Sequence, residues 1–271
     1  MRPVARRASP VFLAAILLVA GAGSGRATVV FPESQFTEYV NGLGQTEEGD
    51  QTLPETVSLA YDIPELRSVV GSATTIGGVV PRGEMQLTLT AYVDPFNPIN
   101  GQALAAIRYY WAVEQIGGDP FDGQVPVDIE THGRVSSTVE TTSGGIGNLF
   151  AEAFFETIND SNHSYQANAC ADLQCETGEF LMDEQFTVQA TPDAENRVDL
   201  TVGGNGTLYD IGFFSIEGFV DPHIEISPGF ARREDFHLVF SNHVVPEPGP
   251  GLLSAAALAT IASARALRQP R

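Results

Sequence analysis

Cys170 and Cys175, within NACADLQCETG, are the residues whose type and spacing most directly imply covalent chemistry. In an exported protein such a pair is expected to close a disulfide. The loop so closed is short, and a chain-entropy gain of about 2 kcal/mol pins a loop rather than a domain. Zinc is the competing use, but two cysteines do not complete a tetrahedral set and His163 nearby adds one ligand only. His132, His163, His223, His237 and His243 form no H-E-x-x-H or H-x-H arrangement, and no serine stands in G-x-S-x-G. The histidines are expected at exposed loop or strand-end positions. A carboxylate pair for glycoside hydrolysis is defined in space, so with 34 acidic residues any pair picked from the sequence is uninformative. No catalytic residue, metal site or cofactor is expected.

Binding chemistry has two candidates. Asp119 with Asp122, and Asn159, Asp160 and Asn162, are the denser acidic loops, but neither follows the D-x-D-x-D-G pattern of a calcium loop. Trp111, Tyr109 and Tyr110 offer rings on which a sugar could stack. Alternation along LAAIRYYWAVEQI places Trp111 and Tyr109 beside Ile107 on the expected core side and leaves Tyr110 outward. Core packing is therefore the expectation for the first two.

Charge excludes one class of partner. The chain carries 14 basic and 34 acidic residues, a formal net charge of −20. Every basic residue is arginine, and half of them lie in the end segments: Arg2, Arg6, Arg7, Arg26, Arg265, Arg268 and Arg271. All the acids lie between these two groups. Such a body repels phosphate backbones, so no nucleic-acid partner is expected. Solubility and resistance to aggregation account for the charge; divalent cations at carboxylate-rich loops are the sharper alternative.

The elements that must position these residues read as strands. Val57–Ile63 begins the series; before it, residues 28–53 hold a few apolar anchors and then an acidic, glycine-containing stretch that reads as loop. In GEMQLTLTAYV, Met85, Leu87 and Leu89 alternate with Gln86, Thr88 and Thr90, and Asp94, Pro95, Asn97 and Pro98 end the run. Leu104–Ile116 puts Ile107, Tyr109, Trp111 and Val113 on one face; its aromatic and β-branched content favours strand over helix. Gly117–Gly123 reads as a hairpin to Val125–Ile129, where Pro126 implies a sheet edge. Arg134–Glu140, Leu149–Ile158 and Gln185–Ala190 follow, the middle one with a helical alternative. Phe186–Ala190 and Val198–Val202 read as a second hairpin, and Leu208–Val220, Ile224–Ile226 and Phe236–Phe240 complete the set. Many short strands between Gly, Pro and Asp turns predict an all-β fold, an antiparallel, jelly-roll-like β-sandwich over residues 28–243.

Both ends read differently. Residues 1–27 have the layout of a secretory signal peptide: Arg2, Arg6 and Arg7, the apolar run Val11–Gly21, then small residues with cleavage expected near Ala22 or Ala27. Residues 244–271 contain VPEPGPG, where Pro246, Pro248 and Pro250 enforce an extended spacer. Gly249–Ala264 is uncharged and would span about 24 Å as a helix, short of the roughly 30 Å of a bilayer core. Arg265, Arg268 and Arg271 then place the end on the cytoplasmic side.

In order and layout this last segment resembles the PEP-CTERM sorting tail, with Val245, Pro246, Glu247 and Pro248 as its motif and Arg265, Arg268 and Arg271 as its basic end. The helix is less apolar and the basic cluster more diluted than the family pattern. The resemblance implies an exosortase in the inner membrane that removes the tail and passes the protein to the outer envelope or exopolysaccharide matrix of a Gram-negative bacterium. The stretches Phe219–Phe230 and Asp235–Ser241 also look like β domains that precede such tails, which implies no activity. The leading expectation is an exported, acidic, non-enzymatic structural or matrix-associated protein, transiently membrane-held. The alternative is a carbohydrate- or calcium-binding β-sandwich module at the cell surface.

Overall fold

The computed structural model describes residues 29–244 except 79, 93–97, 142–144, 159–160 and 172–177. It is all-β, with two antiparallel sheets face to face. The first sheet holds β1 (Gln35–Gly42), β2 (Gln45–Glu48), β6 (Ile99–Gln115), β8 (Gly145–Glu156), β9 (His163–Ala171), β11 (Asn196–Leu208) and β13 (Phe236–Phe240). The second holds β3 (Thr56–Ile63), β4 (Arg67–Ile76), β5 (Arg82–Ala91), β7 (Val125–Thr141), β10 (Glu179–Ala190) and β12 (Gly212–Ile226).

Strand order in the first sheet is β2-β1-β6-β11-β8-β9, with β13 beside the far half of β6, and in the second β10-β7-β12-β5-β4-β3. From β5 to β8 and from β9 to β12 every connection crosses between sheets. Strands β5-β12-β7-β10 thus face β6-β11-β8-β9, the order of an eight-stranded jelly roll. The remaining strands widen it: β1, β2 and β13 on the flank of β6, β3 and β4 on that of β5.

Side-chain alternation sets which face is dry. On β6, Ala103, Ala105, Ile107, Tyr109, Trp111 and Val113 point inward and are buried, and Leu87 and Leu89 meet them from β5. Trp111 and Tyr109 are almost fully enclosed, so they serve the core as expected. Burying a large apolar side chain contributes about 1.5–3 kcal/mol, which makes this layer the main source of stability. Burial also pushes the Tyr109 hydroxyl far above its ordinary range.

Several sequence expectations need correction. The apolar anchors before residue 43 form a strand, β1, and the acidic stretch after it is not all loop, because it contains β2. Inward Glu38 sits between Phe36 and Val40 and breaks the apolar alternation that would have marked β1. Strand β4 was not anticipated, since Gly71, Ala73 and Thr75 on its inner face are small or polar. Strand β9 was missed for a similar reason, with Ala167 and Ala169 inward. Neither proposed hairpin exists, for β6 and β7 lie in different sheets, as do β10 and β11. Val125–Ile129 and Arg134–Glu140 are one strand, β7, interior rather than edge; Pro126 is tolerated at its second residue, where the β12 ladder has just ended. Asp221-Pro222 lies within β12, which joins the run ending at Val220 to Ile224–Ile226. Beyond Val220, β12 has no β5 partner, so the missing proline N–H costs no ladder bond on that side.

Candidate functional site

The outer face of the first sheet carries the most coherent surface arrangement. Its position follows from register. Asn41 of β1, Gln102 of β6, Asn205 of β11 and Asn148 of β8 are direct cross-strand neighbours, giving four amides in one row. One step along the strands, Tyr39, Leu104, Gly203 and Phe150 form the next row. A Cβ at Gly203 would meet Leu104 Cδ1 at 2.7 Å and Phe150 Cζ at 3.3 Å. The absent side chain thus lets Leu104 and Phe150 lie over the backbone as a flat apolar strip. Tyr39 extends the strip, and its hydroxyl accepts a hydrogen bond from the Asn41 amide.

The following row is Thr37, Ala106, Thr201 and Glu152. Three short side chains make it the floor of a shallow depression of about 370 Å³, which Arg108, Asp199 and Phe154 bound on the far side. Arg108 Nε donates to Asp199 Oδ1 at 2.5 Å. That hydrogen bond is the main reason the guanidinium is held above its already high ordinary value. Arg197 pairs with Glu156 at 2.9 Å and with Asp199 at 3.1 Å, and its guanidinium lies 5.5 Å from the centre of the Phe154 ring. The trough therefore runs across the strands between a paired, charged wall and an apolar strip backed by neutral amides. Amides both donate and accept, as hydroxyl-rich ligands require.

The outer face of the second sheet is more heavily charged but mutually satisfied. Arg82 pairs with Glu84 at 2.7 Å and lies 4.3 Å from the Phe219 ring centre; Arg134 pairs with Glu179 at 2.7 Å and Glu217 at 3.4 Å. Asp183, His132 and Asp221 stand in one row, with His132 Nδ1 3.1 Å from Asp183. Burial raises the Asp221 carboxyl, and the charges of Arg82 and His132 counter it. This face holds a depression of about 300 Å³ whose arginines are already engaged.

The residues singled out by sequence fare unevenly. Ala22, Ala27, Val245, Pro246, Glu247, Pro248, Arg265, Arg268 and Arg271 lie outside the described residues. Among the described residues no helix is long and apolar enough to cross a membrane. Cys170 stands in β9 and not between strands, opposite Asn148 of β8, whereas Cys175 lies outside the described residues. Asp94, Pro95, Asn97, Asn159 and Asp160 also lie outside. Asp119 contributes its main-chain oxygen to Gln115 and Arg232. Among the described residues no group of three His, Cys, Asp or Glu side chains is placed to hold a metal. Of the histidines expected at exposed loop or strand-end positions, His163 and His237 lie at the starts of β9 and β13 and His243 is exposed in a turn, whereas His132 and His223 stand inside β7 and β12. His163 stacks on Phe186 at 4.3 Å between ring centres, and His237 Nε2 lies 3.2 Å from Glu114. Of the aromatics considered for sugar stacking only Tyr110 is outward, half-buried on the same face as the trough. Tyr39, Phe150 and the amide row were not foreseen.

No protein-family model matches the chain, and no protein of described function matches it in sequence. Solved structures give faint likenesses. One concerns the promiscuous specificity of carbohydrate-binding modules of the β-sandwich superfamily, at 10% identity over 68% of this chain and 83% of that one, TM-score 0.19. Another is the enzymatically active domain of tailspike protein 4 of bacteriophage CBA120, at 8% identity over 61% of this chain and 19% of that one, TM-score 0.16. A third is from infectious bursal disease virus, Gx strain, at 11% identity over 86% and 68%, TM-score 0.16. Scores this low carry no argument about activity; the strand order above defines the fold.

Proposed function

We propose that the chain is an exported, non-catalytic sandwich that an exosortase-type enzyme processes at Val245–Pro248, and that it holds a neutral polysaccharide in the envelope or matrix. The observation that carries the ligand assignment is the row Asn41–Gln102–Asn205–Asn148 beside Tyr39, Leu104 and Phe150. Apolar side chains suit the C–H faces of sugar rings, and the amides suit their hydroxyls. The row is free of charge in a chain of net charge −20, which disfavours anionic polymers at long range. A trough open across several strands admits a polymer more readily than a compact substrate. The leader, spacer and basic end described from the sequence supply the route.

The test is affinity electrophoresis of the full chain through gels containing a neutral glucan or an acidic polysaccharide. Retardation is expected in the neutral gel alone. Phe150→Ala and Asn205→Ala should each weaken it about tenfold, the equivalent of about 1.4 kcal/mol. Thr187→Ala, on the opposite outer face, should leave it unchanged. Equal mobility of wild type and both trough variants in every gel would remove the glycan assignment.

A further inference from the structure

The floor of the trough continues across five strands of the first sheet. Thr37 of β1, Ala106 of β6, Thr201 of β11 and Glu152 of β8 form one cross-strand row, and Gln166 of β9 stands opposite Glu152 as its fifth member. The apolar strip beside the floor ends in the same way, with Asn168 of β9 opposite Phe150. Gln166 and Asn168 are exposed, and neither carries a charge. Each strand therefore offers one floor position, in the order β1-β6-β11-β8-β9.

Two dimensions of this row restrict what can lie along it. Neighbouring strands are about 4.8 Å apart, so four gaps give a bed of roughly 19 Å. In a β-1,4-linked glucose chain both glycosidic bonds of each ring are equatorial, and the chain advances by close to one strand spacing per ring. Rings and strands keep step, and one ring meets one floor residue. An α-1,4-linked chain is axial at its first carbon and coils, so it leaves a straight row after a few rings. Twist sets the second limit. Successive strands turn by roughly 20–25° about the row, which makes the bed a slow propeller. A single soluble chain can turn with it, whereas the flat face of a crystalline polysaccharide touches only part of it.

The side chains match such a ribbon. Thr37, Ala106 and Thr201 are short and keep the floor low, while Tyr39, Leu104 and Phe150 lie along one side. On the other side Arg108 is already bonded to Asp199 at 2.5 Å, so that wall does not select an anionic chain. Glu152 is half-buried and belongs to no ion pair among the described residues. Its oxygens can accept from ring hydroxyls, and its charge repels a carboxylated ring. The Gln166 amide both donates and accepts.

We propose, resting on the neutral-glycan reading above, that the trough binds one soluble, extended β-1,4-linked glucan chain laid across the strands, one ring per strand from Thr37 to Gln166. Titration calorimetry of the full chain with cello-oligosaccharides and malto-oligosaccharides of two to six rings tests this. Affinity for the β-1,4-linked series should climb by about tenfold between two and five rings and level off at six. Five-ring malto-oligosaccharide should bind about tenfold more weakly than its β-linked counterpart. Gln166→Ala should weaken five-ring binding and leave three-ring binding unchanged. Ala106→Gln raises the floor under the second ring and should weaken every length about tenfold at an unchanged unfolding midpoint. Affinity that is level from two rings onward, or equal for the two linkages, would overturn the ring-per-strand assignment and leave the neutral-glycan reading standing. Unchanged five-ring affinity in Gln166→Ala would likewise sink it, because the bed would end before β9. Absence of binding by every oligomer would remove both. Gln166 is exposed on an edge strand, so its variant keeps the test decisive if Ala106→Gln fails to fold.

Discussion

Glu65 adopts φ 62° in the three-residue turn that joins Ile63 to Arg67, and it is exposed. For an L-residue the left-handed region costs about 1–2 kcal/mol, and asparagine bears it better because its short side chain can bond locally. Glu65→Asn should raise stability by about 0.5–1 kcal/mol and remove one charge from an overcharged surface. Urea unfolding would register this as a higher midpoint at unchanged slope. A lower midpoint would show that the glutamate side chain holds the turn in a way its exposure conceals. Leu43 has φ 50° before Gly44 at φ 77° in the β1–β2 hairpin, but its side chain packs on the core, so the same change there would lose apolar contact. At this scale the sequence is readable where a residue obeys its element and opaque where it does not. Met85, Leu87, Leu89, Ile107, Tyr109 and Trp111 are buried as alternation requires. Glu38 violates the pattern, and that violation hid β1.

Between elements, the two sheets approach closely because glycines face large rings. Phe214 of β12 lies over Gly206 of β11 and Gly147 of β8, and a Cβ at either glycine would run into the ring. Gly206→Ala should therefore cost about 1–3 kcal/mol through overpacking, despite better strand propensity. Adding Phe214→Leu should recover part of the loss, because the smaller side chain clears the space. Calorimetry of the single and double variants measures the coupling, and strictly additive effects would mean that the ring and the glycine do not compete for volume. The same approach explains the limits of sequence reading. Period-two alternation identified the strong strands but carries no information on partners. Consecutive strands were joined as hairpins, although in a jelly roll most connections cross between sheets. The trough depends on that order. Asn41, Gln102, Asn205 and Asn148 are far apart in sequence, and only the neighbours β1, β6, β11 and β8 align them. A reader with the strand order and the outward positions of β6, β8 and β11 could have found three of the four amides; the first required β1.

For the molecule as a whole, charge distribution and chain connectivity bear on the proposed delivery. The acids are confined to the stretch between two arginine-bearing ends. Val244 is the last described residue, buried in the core and bridged to Gly78. A cut directly after this buried residue would leave every described strand intact. Removal of the tail should therefore cost the sandwich almost nothing in stability while changing where the protein resides. Intact-mass measurement of the protein from envelope and medium fractions of an exosortase-bearing host tests the first link. A C-terminus close to Pro246–Pro248 is expected in the released form, and Glu247→Ala should shift the protein to the membrane fraction with the tail retained. Recovery of a released form that still carries Arg265, Arg268 and Arg271 would sink the sorting role of this segment. A chain truncated after Val244 supplies the second link: an unfolding midpoint matching that of the processed form is expected, and a large drop would assign the spacer to the fold instead of to the route.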